Sequence, residues 1–116
     1  MFVKRFPDAK PYEAPNHRDV KAVRLQGFEA GGPTNQWVGL SHILPGGGAG
    51  PDASPIEKVY VLLEGELCVI IDGKETVLRR MDSCTIPAGE VREIINRTND
   101  VCSMIVVMPY PPGVKP

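Results

Sequence analysis

The sequence predicts an all-β fold, a sandwich or barrel of about eight or nine short strands. Three observations point there. Twelve glycines and twelve prolines punctuate the 116 residues and leave little room for a long helix. Between them lie short runs rich in Val, Ile and Leu that alternate with polar residues, the period of a half-buried strand. The dipeptides Glu64-Gly65 and Asp72-Gly73 mark turns between such runs, and Asp-Gly is a strong hairpin signal.

In chain order, residues 1–19 read as an arm, because "FPDAKPYEAPNHRD" holds three prolines and no steady period. "VKAVRLQGF" alternates as a strand. "NQWVGLSHIL" reads as another, ended by Pro45 and its glycines, so that "GGGAG" is expected to be a flexible lip. "KVYVLLEGELCVIIDGKETVL" gives strand, turn, strand, turn, strand. "DSCTIPAG" is a short strand closed by Pro87 and Gly89. "VREIIN" and "CSMIVVM" follow across the turn "RTND". The tail "PYPPGVKP" is too proline-rich to enter a sheet interior. The expected organisation is one domain over residues 1–116, with an arm (1–19), a barrel (20–110) and a tail (111–116).

Composition removes several function classes. A net charge of −1 gives no electrostatic case for nucleic acid or an anionic membrane surface, so neither is expected as a partner. No apolar run is longer than that from Val59 to Leu63, which is too short to span a bilayer. "MFVKRFPDAK" lacks the apolar stretch of a secretory signal. Three cysteines, Cys68, Cys84 and Cys102, have no paired spacing and are expected as small buried hydrophobes. A cytoplasmic protein with reduced thiols follows as the default expectation. "GGGAG" lacks the lysine-serine ending of a phosphate loop, and Asn96 in "NRT" is expected to be structural rather than glycosylated. Trp37 and the Met104/Met108 stripe are expected in the core or at a dimer surface.

The residues from Gly46 to Asn96 then carry a resemblance to the cupin superfamily, small jelly-roll barrels with two sequence motifs. Gly46, Asp52, Ser54, Lys58 and Gly65 keep the spacing of the first motif; Met81, Pro87, Gly89, Arg92 and Asn96 keep that of the second. Gly46, Gly65, Pro87, Gly89 and Asn96 match the family residue. Asp52, Ser54, Lys58 and Arg92 stand where the family places histidine, histidine, glutamate and histidine as metal ligands. Met81 replaces a glycine. The resemblance implies a double-stranded β-helix, or jelly-roll, with its open end near residues 46–54. It also implies pairing of barrels through an N-terminal strand, so a homodimer is expected through "VKAVRLQGF". It does not fix a function, because the family includes dioxygenases, isomerases, epimerases, lyases, storage proteins and sugar-sensing domains.

Chemistry decides what the substituted positions mean. Lysine and arginine are cations at neutral pH, and arginine does not give up its proton to become a ligand. No metal and no other cofactor is therefore expected. His17 and His42 lie outside both motifs; His17 is expected as an exposed arm residue and His42 as a packed or interface histidine. Alternation puts Lys58, Tyr60 and Leu62 on one strand face, and Arg92, Ile94 and Asn96 on another. If both faces point into the barrel, two cations share an apolar mouth, which is costly unless an anion compensates. The expected site is thus a pocket for a small carboxylate-like metabolite. Lys58, Arg92 and Tyr60 are the candidate catalytic groups for acid/base isomerisation or lyase chemistry, and Asp52, Ser54, Arg92 and Lys58 the candidate ligand-binding groups. The alternative is a barrel without catalysis, in which Asp52 and Glu57 form an internal ion-pair network with Lys58 and Arg92.

Overall fold

A computed structural model describes residues 1–114, and the last two residues of the expected tail lie outside them. The described residues form nine strands: β1 (Pro11–Tyr12), β2 (His17–Gln26), β3 (Gln36–Asp52), β4 (Lys58–Glu64), β5 (Leu67–Ile71), β6 (Lys74–Leu78), β7 (Ser83–Ile86), β8 (Arg92–Ile95) and β9 (Cys102–Pro109). Among the described residues the helical content is two 3₁₀ turns, Phe6–Asp8 before β1 and Phe28–Ala30 between β2 and β3. The hydrogen-bonded order is β6-β5-β8-β3-β9-β4-β7, with β2 on β3 and β1 on β2. Every pairing is antiparallel. This is the jelly-roll barrel implied by the two motifs.

The β5–β6 hairpin falls where turn chemistry puts it, whereas the turn at Glu64-Gly65 leads across the barrel, because β4 pairs with β7 and β9 and not with β5. Asp72 (φ 51) and Gly73 (φ 74) both take positive φ, which a two-residue turn between β5 and β6 requires. Strand alternation sets the core. In β4 the buried residues are Lys58, Tyr60 and Leu62; in β8 and just beyond they are Arg92, Ile94 and Asn96. Ile43, Leu62, Leu67, Ile94 and Met104, each at most 2% exposed, fill the closed part of the barrel. Cys68 and Cys102 are buried and Cys84 is half-buried, all as free thiols.

Two expectations about the chain are corrected. "GGGAG" is not a lip: it lies inside β3, which runs unbroken to Asp52. Gly47 to Gly50 are buried, and Gly48 pairs with Ile95 of β8 on one side and Arg18 of β2 on the other. A Cβ at Gly48 would collide with the Ile94 carbonyl oxygen. The glycines thus allow strands to approach closely; they do not loosen the chain. The arm is also shorter than residues 1–19, because β2 begins at His17, and β1 binds Tyr12 opposite Ala22.

Candidate functional site

β3, β4, β8, β9 and the arm enclose a cavity of about 400 Å³, a size suited to a small metabolite. Its floor is apolar, with Ile43, Ile94, Met104 and Val106. Its polar groups converge near the mouth: Lys58, Tyr60, Arg92, Asp52, Ser54 and His17. All five candidate site residues named from the sequence therefore line one cavity.

Lys58 and Arg92 are 8% and 6% exposed, and neither is in an ion pair within 4.0 Å among the described residues. The expected alternative network with Asp52 and Glu57 is not formed at that distance. Arg92 Nε donates to the Tyr60 hydroxyl at 2.9 Å, and buried Nη1 has no hydrogen-bond partner among the described residues. Such an orphaned donor is uncommon in a native fold. Burial pulls the Lys58 pKa down to about 8; the Arg92 charge adds to the shift and Asp52 opposes it. Burial raises the Tyr60 phenol above its ordinary value, against the nearby Arg92 cation.

Asp52 sits opposite Arg92 in the β3–β8 register, past an irregularity after Ala49. Its side chain is at the rim, where Oδ1 accepts the Ala53 N–H at 2.9 Å. Ser54 Oγ accepts the Ile56 N–H at 3.0 Å and its carbonyl accepts the Gly89 N–H, so the rim is tied to the turn before β8.

Sequence reasoning missed four contributions to the wall. His17 lines the cavity instead of standing free on the arm. Period-two counting back from Val20 puts it on the wrong face. Asp19 takes φ 51, and the register with β3 shifts between Arg18 and Val20, where β3 carries the extra residues, so plain alternation does not run through this point. Arg24 is the second. Its guanidinium lies 3.9 Å from the Tyr12 ring centre, 4.5 Å from Trp37 and 4.6 Å from Phe28, which pins the arm against the barrel. Trp37 and the Met104/Met108 stripe are the third, forming cavity wall as well as core. Glu13 is the fourth, carried to the rim by the arm. His42 is as expected, packed between strands with Nδ1 3.0 Å from Ser103 Oγ.

The four positions that the motifs assign to metal ligands do not fit a metal. Two are cations, and the described residues contain no group of three or more His, Cys, Asp or Glu placed to hold an ion. No helix is long and apolar enough to cross a membrane.

Comparison with known proteins accords with this geometry. Residues 39–108 match the family model of the cupin domain. A β-D-galactosidase of Mycobacterium tuberculosis (strain ATCC 25618 / H37Rv) is 46% identical over 111 residues, covering 96% of this chain and 96% of its own. The polyketide cyclase RemF of Streptomyces resistomycificus superposes with a TM-score of 0.84 at 20% identity, over 99% of this chain and 84% of its own. A predicted oxalate decarboxylase of Thermotoga maritima gives a TM-score of 0.76 at 23% identity, over 96% of this chain and all of its own. At such identities the two solved structures speak for the fold alone.

Proposed function

The chain belongs to the cupin family, and from that premise we propose that its barrel is a metal-independent receptor for a small anionic, carboxylate-like metabolite. The observation that carries this reading is the pair of buried cations, Lys58 and Arg92, with Arg92 Nη1 left unpartnered at the cavity. A carboxylate would supply the missing acceptor and offset both charges. Arg92 is the fork-shaped clamp and Lys58 the point charge. Asp52 and Ser54 bound the entrance. The Tyr60 hydroxyl accepts from Arg92, which leaves its own proton to donate. With Lys58 poised at about 8, the site is equipped for acid/base isomerisation or lyase chemistry.

Calorimetry with a panel of small mono- and dicarboxylates tests the reading. Charge-assisted hydrogen bonds contribute about 1.5–3 kcal/mol each, so Arg92→Ala is expected to weaken the best ligand by about tenfold or more. Equal affinity for wild type and variant would sink the anion site.

A second reading is favoured by one relative and one feature. The M. tuberculosis relative is named a β-D-galactosidase, and most glycoside hydrolases work with a pair of carboxyl groups. Glu13 and Asp52 both line the cavity. Release of nitrophenol from p-nitrophenyl-β-D-galactoside, lost in both Glu13→Gln and Asp52→Asn, would replace the first reading with this one.

A further inference from the structure

The His17 imidazole has one nitrogen already committed. Nδ1 lies 2.7 Å from the Pro15 carbonyl oxygen. A carbonyl oxygen only accepts, so Nδ1 carries the hydrogen and the neutral ring keeps its lone pair on Nε2. Nε2 makes no hydrogen bond to protein among the described residues. The left-handed residue Asp19 breaks the alternation of β2, and this ring lies on the wall of the cavity that holds Lys58 and Arg92.

We propose that His17 Nε2 is the proton acceptor of the site, removing a proton from a carbon adjacent to a carbonyl group of an anionic ligand held by Lys58 and Arg92. This rests on the anion-site reading. The carbon–hydrogen bond breaks and its electron pair moves into the carbonyl as an enolate, while the proton forms a bond to Nε2. The Lys58 and Arg92 cations neutralise the enolate oxygen. The Pro15 carbonyl, already accepting from Nδ1, stabilises the imidazolium. The proton then returns to the same carbon or to its neighbour, giving exchange or isomerisation. No electrons leave the ligand, so no oxidant or reductant is needed.

The surroundings keep the base free. Burial is the main cause that lowers the His17 pKa from its ordinary value; the Pro15 hydrogen bond opposes it, and the Arg92, Lys58 and Arg18 charges add to the lowering. Glu13 from the arm and Asp52 from β3 are the carboxylates on the same cavity. Exchange should rise with pH as His17 loses its proton and fall again as Lys58 discharges at about 8.

The test uses α-ketobutyrate, whose carboxylate is the anion and whose β-carbon hydrogens adjoin a carbonyl. Proton NMR in heavy water follows loss of those hydrogens, and calorimetry follows binding separately. Wild type should bind the probe and accelerate exchange. His17→Asn keeps a donor for the Pro15 carbonyl but has no Nε2. It should lose exchange by about a hundredfold or more with affinity little changed. Exchange by His17→Asn at the wild-type rate overturns the inference, as does a wild type that binds the probe without accelerating exchange. A wild type that does not bind the probe removes the anion site beneath it.

Discussion

An ammonium group holds its proton less tightly when it is buried, and Lys58 carries that penalty in the folded state. Its pKa is about 8 when folded against 10.5 ordinarily. Between those values the unfolded chain binds more protons than the folded one, so stability rises with pH; below about 8 the whole penalty stands. Water in the cavity screens part of that penalty, which leaves about 1–3 kcal/mol. Lys58→Met should therefore stabilise the ligand-free protein at neutral pH by about 1–3 kcal/mol in urea denaturation and flatten the alkaline rise. A destabilised Lys58→Met would contradict the unpaired cation. Met81 is a second residue held against its preference. It takes φ 70 at a family glycine position and is 66% exposed. A non-glycine residue in the left-handed region costs about 1–2 kcal/mol, part of which the entropy of glycine returns. Met81→Gly should raise stability by about 0.5–1 kcal/mol, read as a higher urea midpoint.

Among the elements, the turn after β8 is held by one side chain. Fully buried Asn96 donates through Nδ2 to the Ile43 carbonyl at 2.9 Å and the Asp100 carbonyl at 2.7 Å. Its Oδ1 accepts from the Thr98 N–H at 2.9 Å and the Thr98 hydroxyl at 2.8 Å. Asn96→Ala removes four hydrogen bonds in a fully buried setting, an expected loss of about 2–4 kcal/mol in the same assay. The bonds also explain why "NRT" is not an available glycosylation acceptor. Asn96 was legible in the sequence because a fixed spacing from Pro87 and Gly89 marks it. The inward faces of β4 and β8 were legible because plain alternation holds there without a bulge. His17 and the second half of β3 were not. A single left-handed residue at Asp19 breaks the alternation, and a glycine run means a loop or a tight strand pairing depending on what lies beside it. Local pattern cannot see β8 across β3.

At the scale of the molecule, β2, the strand through which a homodimer is expected, already pairs with β1 and β3, and the arm leaves Phe2, Val3 and Phe6 exposed; we propose that a second copy packs on that apolar surface instead. Light scattering is expected to give a dimer, twice the 12.6 kDa chain, and Phe2→Ser with Phe6→Ser to return it towards a monomer. The path of strands ends at β6 and β7, so the barrel keeps two edges, and β6 carries Lys74 and Glu75 on one of them. The order β6-β5-β8-β3-β9-β4-β7 has a further consequence in time. β9, the last strand of the described residues, is the piece that joins the β3 side of the barrel to the β4 side. A growing chain on the ribosome cannot link the two halves until residues 102–109 have emerged, even though the cavity's cations are supplied by much earlier residues such as Lys58. Loop closure over such separations makes folding slow relative to helical proteins of this size. Until β9 arrives, Lys58 remains in water and fully charged, so its burial follows its own synthesis by more than forty residues.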